Sequence, residues 1–283
     1  EAALRMLRLA GLDGPTVLAR SDVRRPIPLS GVTVRLAAPH RQVDDARAPN
    51  VVGLIRGSDP ALQGTYVVLT AHMDHVGVGR PDETGDSIYN GADDDASGTA
   101  VLMEVAEALA SLESPPRRSV LFVAVSGEEK GLLGSRWFVE HPPVPLDSMV
   151  ANVNLDMVSR NAPDSIVVIG QEYSSLGPLV RQLAGDSPEL GLTVSADLWP
   201  EERFFFRSDH FSFAREEIPA LFFFAGTHED YHRPGDEVDE VDADKAARVG
   251  RLVLYLTHAI ADSELAPQWD PDGLETVRGL TSQ

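Results

Sequence analysis

Cysteine is absent from all 283 residues, which excludes disulfides, thiolate metal sites and a cysteine nucleophile. Any metal must then be held by His, Asp and Glu, a donor set that suits zinc, manganese and similar ions. Lysine is nearly absent too. Of 24 Lys and Arg only Lys130 and Lys245 are lysines, which reads as a coding bias towards Arg. Positive charge is scarce beside 44 acidic residues, and the formal net charge is −20. A surface this acidic repels phosphate backbones and anionic membranes, so nucleic acid is not expected as a partner. No apolar run approaches the length of about eighteen residues that a membrane span needs, and there is no internal repeat or low-complexity segment.

What is present is the composition of an ordinary globular protein, 43% hydrophobic and 24% charged, at a length that suits one large α/β domain. Residues 1–48 read as a leader, with an amphipathic stretch from Ala3 to Leu9 and a polar, Arg- and Pro-rich continuation. Strands are expected at Val32–Leu36, Asn50–Ile55 and Tyr66–Ala71. From there strands and helices alternate: a helix over Gly98–Leu109, a strand over Ser119–Ser126, a helix over Leu132–Val139, and strands over Val150–Asp156 and Ile166–Ile169. A helix over Ser175–Ala184, a strand over Ala220–Ala225 and a long helix from Asp244 complete the series, the last with Val249, Leu252, Val253, Leu256 and Ile260 at core spacing. Residues 263–283 read as a polar tail over the surface. Such alternation implies a three-layer α/β/α sandwich around a mostly parallel sheet, with ligands bound beyond the carboxyl ends of the strands.

Five short stretches fall at those strand ends. They are His72-Met73-Asp74-His75, the Gly/Ser-rich loop with Asp93-Asp94-Asp95, Glu128-Glu129, Asn154-Leu155-Asp156 and Tyr231-His232. Taken singly, each has an ordinary explanation: a satisfied histidine, a solvated turn, a capping carboxylate. Adjacent carboxylates repel, however, and a helix N-terminus offsets only about 1 kcal/mol of that cost. An unpaired Asp156 at the core edge would be expensive. Together the five clusters lie on one edge of one sheet, where random placement would scatter them over both. Cations are what allow so many carboxylates to converge.

In this order the motifs resemble the two-zinc exopeptidase family, which includes secreted bacterial leucine aminopeptidases and glutamate carboxypeptidases. The resemblance spans about residues 50–262. A related two-metal carboxypeptidase and deacylase family shares a His-x-Asp and a Glu-Glu pair, but its Pro-rich continuation is missing here. The resemblance implies two Zn2+ per chain, with His72 and Asp156 on one, Glu129 and His232 on the other, and Asp94 bridging them. It makes Glu128 the general base that takes a proton from a metal-bridging water. Asp74 would hydrogen-bond the far nitrogen of His72, with Asp236 a weaker candidate for the same service at His232. Tyr231 would support the oxyanion, with a packing aromatic as the alternative, and Arg207 would lie near the substrate. His75, His210 and His228 are left out, since the ligand positions are filled, and His40, His141 and His258 read as surface residues. Of the phenylalanines at 204–206, 211 and 222–224, one or two are expected to line an apolar pocket.

The expected function is a zinc exopeptidase acting on peptides, with an aminopeptidase for apolar N-terminal residues favoured. A substrate carboxylate would need a cation, and Arg207 is the only one nominated. Carboxypeptidase or dipeptidase is the alternative, followed by a single-zinc aminoacyl cyclase and a non-catalytic binding module. The division expected is a leader at 1–48, marking a join to an accessory domain and a longer precursor, a catalytic domain at 49–262 and a tail at 263–283. Export to the periplasm or the exterior is expected from the resemblance; the oligomeric state stays open.

Overall fold

The computed structural model describes residues 2–13, 15, 16, 33 and 47–281. The chain forms two compact units, 1–46 and 47–283. In the first, α1 spans Ala2–Leu9; the strand expected at Val32–Leu36, and His40, lie outside the described residues.

The second unit is organised by seven strands, of which the inner ones are buried on both faces and the two edge strands are not. These are β1 (Val51–Ile55), β2 (Tyr66–His72), β5 (Ser119–Val125), β6 (Met149–Leu155), β7 (Ser165–Ile169), β8 (Thr193–Ser195) and β9 (Ala220–Phe224), in the order β1-β5-β2-β6-β9-β7-β8. The central β5, β2, β6 and β9 run parallel, while β1 pairs antiparallel with β5 and β7 antiparallel with β9; β7 and β8 run parallel to each other. A separate two-stranded ribbon, β3 (Gly77–Val78) with β4 (Ile88–Tyr89), stands on the loop after β2.

Because side chains alternate across a strand, β2 divides its residues between two cores. Val67, Leu69 and Ala71 pack with α2 (Gly98–Ala110), α4 (Leu176–Asp186) and α6 (Ala243–Asp262). Val68 faces the other way, with Leu121, Val123, Phe138 and Phe213, under α3 (Leu133–Glu140) and α5 (His210–Arg215). A third cluster, with Phe204, Phe222, Phe224 and Met157, extends that second face. The expected three-layer α/β/α sandwich is therefore present. The long helix is capped by Asp242, whose carboxylate accepts the Lys245 N–H at 2.9 Å, and all five of its expected core residues are buried. The stretch expected to be a plain tail carries one more helix, α7 (Pro271–Thr281), with Val277 buried. Proline opens it and Asp270 caps it through Asp272 and Gly273. No described helix is long and apolar enough to cross a membrane.

Candidate active site

The carboxyl ends of the four parallel strands deliver the expected residues to one place. His72 is the last residue of β2 and pairs laterally with Val125 of β5, so Glu128 and Glu129 follow just beyond it. Asp156 follows β6, and His232 lies in the loop after β9. Asp94 comes from the loop that enters α2, through a cis Asp94–Asp95 peptide bond. Met157 and His232 both sit in the left-handed backbone region, φ +56°, a conformation that non-glycine residues hold only where their surroundings impose it.

Asp94 is the hinge of the arrangement. Its Oδ1 lies 3.1 Å from His72 Nε2, which is also 3.6 Å from Asp156 Oδ1. Its Oδ2 lies 3.2 Å from His232 Nε2, which is 3.1 Å from Glu129 Oε2. Two ligands at zinc–nitrogen and zinc–oxygen bond lengths, set tetrahedrally, stand roughly 3.3 Å apart. All four separations fall near that value. His72 Nε2 is buried with no hydrogen-bond partner, as an atom reserved for a cation would be. The residues therefore fit two divalent ions sharing Asp94. His75, Asp94 and Glu129 also bring ligand atoms within 4.8 Å of one another.

Protons stand in for cations when the ring is metal-free. Hydrogen bonds that His232 donates to the Asp94 and Glu129 carboxylates hold it up at about 10. Burial works against a charged His72, yet the charge and hydrogen bond of Asp156, with Asp94 and the charge of Asp95, together outweigh it and raise this imidazole well above its ordinary value. Burial also opposes ionisation of Glu129, but its bonds to His232 and His75 hold the carboxyl down at about 2. Glu128, which gains no such partner, is pushed up to about 9 by burial and then by the charge of Asp156. Metal binding must displace these protons.

The flanking aspartates of the triplet face inward. Asp93 Oδ1 accepts Ser159 N–H at 2.9 Å, Ser159 Oγ at 2.6 Å and Ser97 Oγ at 3.0 Å. Asp95 accepts the backbone N–H of His72, Gly98 and Met157 at 3.1, 3.0 and 3.1 Å. Asp94 alone is left to face the ligands. A polar chain supports Asp156 from within the sheet: Asn152 Nδ2 donates to Thr70, Thr70 to Asn154, Asn154 to Ser208, and Ser208 Oγ to Asp156 Oδ2 at 2.6 Å.

Two expected contacts are corrected. The far nitrogen of His72 meets the backbone carbonyl of Asp74 at 3.0 Å, while the nearer Asp74 carboxylate oxygen is 3.9 Å away. That carboxylate instead accepts the Glu128 N–H at 3.2 Å, because the tight turn after β2 points the carbonyl back at the ring. Asp236 does not serve His232 either: it is fully buried and accepts the N–H groups of Asp93 and Asp94, so it shapes the bridging loop.

Asp94, Glu128, Asp156, Tyr231 and His232 surround a cavity of about 20 Å³, room for about one water. Met157, Phe204, Phe222 and Phe224 form its apolar wall and Arg207 its rim. Tyr231 stacks on His232, ring centroids 3.9 Å apart. The Arg207 guanidinium lies 4.6 Å over the Phe204 ring and 3.8 Å from Glu202. Of the histidines left out, His75 is in the site and buried. His210 is buried beneath the phenylalanines and held down at about 3 by burial, and His141 and His258 are exposed.

Known proteins share this framework. A family model described as Peptidase family M28 matches residues 50–257. The chain belongs to Peptidase family M28. Among M28 relatives, a "Probable zinc metalloprotease" of Leptosphaeria maculans is 29% identical over 261 residues, 78% of this chain and 59% of the relative. Aminopeptidase YwaD of Bacillus subtilis is 29% identical over 217 residues, 71% of this chain and 42% of the relative. The solved structure of BSAP, a zinc aminopeptidase from Bacillus subtilis, superposes with a TM-score of 0.62 at 25% identity, covering 77% of this chain and 51% of that one. This M28 chain thus spans about half the length of the curated relatives it matches.

Proposed function

We propose that this M28 domain hydrolyses peptides as a zinc-dependent exopeptidase, an aminopeptidase releasing apolar N-terminal residues. The observation that carries the reading is Asp94 standing between two ligand sets, one His72–Asp156 and the other Glu129–His232, with Glu128 on the wall of the same cavity. Bound there, zinc supplies an acidified water and a polarised carbonyl.

The chain's own groups account for the rest. The Glu128 carboxylate takes the proton of the attacking water and passes it to the leaving amine; its backbone N–H, tied to Asp74, fixes where that carboxylate starts. The Tyr231 hydroxyl donates to the oxygen that gains charge as the carbonyl carbon turns tetrahedral. The wall of Met157, Phe204, Phe222 and Phe224 presents the apolar surface against which a substrate side chain packs. A free substrate ammonium meets Asp94, Glu128 and Asp156, whereas Arg207, the one Arg or Lys among the described residues of the lining, is already engaged by Phe204 and Glu202. That balance favours an amino terminus over a carboxylate.

The test compares leucine anilide with its N-acetylated form. Cleavage of the free amine at least about a hundredfold faster is expected. Equal rates would end the aminopeptidase reading and turn attention to carboxypeptidase and dipeptide substrates.

A further inference from the structure

The turn at residues 72–75 supports more of the site than its ligand His72. Its second contribution is the Asp74 carboxylate, which holds Glu128 through the backbone. Its third is His75. This side chain is buried, 7% exposed, and its Nδ1 lies 2.8 Å from Glu129 Oε1, the oxygen opposite the one that faces His232. Glu129 Oε1 and both ring nitrogens of His75 are buried and otherwise unpartnered, and the contact between them has the length of a hydrogen bond without its full alignment. The position is also built for this ring. A Cβ added at Gly91, φ +66°, would fall 2.5 Å from His75 Cγ and 2.8 Å from its Cβ, so the loop carrying Asp94 closes over the imidazole only because residue 91 has no side chain. On its other side the ring meets His232 edge-on, centroids 5.6 Å apart.

Distance decides between two roles. A direct ligand would stand roughly 3.3 Å from the other ligand atoms of its ion, as His72 and His232 do. His75 Nδ1 is closer than that to Glu129 Oε1, at 2.8 Å, and farther from Asp94 Oδ2, at 3.8 Å. The first value is an N–H···O hydrogen-bond length; the second is longer than any of the four ligand separations of the two-ion arrangement.

We propose that His75 is a positioning residue for the second metal: its Nδ1–H holds Glu129 Oε1, so that Glu129 offers Oε2 to the ion that His232 and Asp94 share. The Glu128-Glu129 pair is then sorted by one turn, Asp74 placing the base and His75 the ligand. The inference rests on the two-metal reading above and deepens it. Carboxylate ligands are commonly oriented by such outer partners, whose loss costs 10- to 100-fold in metal affinity.

The experiment measures zinc affinity by chelator competition, and imidazoles per zinc by X-ray absorption, for the wild type, His75→Ala, His75→Leu and His75→Asn. Circular dichroism checks that each variant folds. Expected are two zinc sites in the wild type with one imidazole per ion, and a 10- to 100-fold weakening of one site in His75→Ala. His75→Leu, which restores volume without a donor, should stay weak. His75→Asn, whose amide N–H can replace Nδ1–H, should recover to within a few-fold. Unchanged affinity in His75→Ala, or equal rescue by Leu and Asn, would overturn the positioning role and leave the two-metal site standing. Three imidazoles for two ions would overturn it by making His75 a ligand. A wild type that binds no zinc would remove the two-metal reading itself.

Discussion

Replacing Asp95 tests how the bridging loop is held. Its carboxylate is almost fully buried and accepts three backbone N–H groups, from His72, Gly98 and Met157. Those donors belong to the end of β2, the start of α2 and the end of β6, the segments that carry His72, Asp94 and Asp156. Asp95→Ala leaves three buried donors without acceptors, at about 1–3 kcal/mol each. Against this, burial opposes the ionised form and raises the Asp95 carboxyl well above its ordinary value, with the charge of His72 pulling the other way; removing the side chain returns part of that penalty. The expected net loss is about 4 kcal/mol. Asp95→Asn keeps an oxygen for Gly98 and Met157, gives up only the His72 acceptor and removes the buried charge, so its expected cost is about 1 kcal/mol. Equilibrium urea unfolding in chelator reads both directly. An Asp95→Ala midpoint equivalent to less than about 1 kcal/mol of loss, or an Asn variant weaker than the Ala variant, would refute the assignment of Asp95 as the common anchor.

Ser208→Ala removes the 2.6 Å hydrogen bond to Asp156 and strands the Asn154 amide; a loss of about 2–3 kcal/mol should lower Tm by roughly 4–10 °C and weaken zinc at the His72–Asp156 position. Lys245 is fully buried, with its Nζ donating to the Arg160 carbonyl, and burial lowers its pKa to about 8 from 10.5. Between those values the unfolded chain binds the extra proton, so stability rises with pH through this window and is lost as pH falls through about 8. The stability difference between wild type and Lys245→Met should therefore grow in favour of the wild type by about 3 kcal/mol from pH 8 to 10.5; a flat difference would show that Lys245 is not desolvated.

The ligand residues were legible because each ends a strand or begins a helix in an alternating chain, and strand ends on one edge of a parallel sheet converge. Which atom of a residue does the work was not. His-x-Asp spacing places Asp74 beside His72, but only the path of the turn decides that its carbonyl takes the ring nitrogen and its carboxylate takes Glu128. In sequence His75 stands outside a ligand set that is already full, and nothing there shows that a ligand carboxylate needs a partner of its own. Thr70, Asn152 and Asn154 interrupt otherwise apolar strands; polar groups at such positions must find buried partners, and that was a usable signal for the chain leading to Asp156. Asp270-Pro271 likewise announces a helix start within the stretch read as a tail. Asp93, Asp94 and Asp95 look alike in sequence, and only the fold turns one outward and two inward.

The central claim is a pair of metals served by Glu128. The direct measurement is zinc per chain together with leucine anilide hydrolysis for the wild type and Glu128→Ala. The account predicts two zinc ions in both proteins and a fall in kcat of at least about a hundredfold in the variant. One ion or none in the wild type, or full activity in Glu128→Ala with both ions bound, would contradict it.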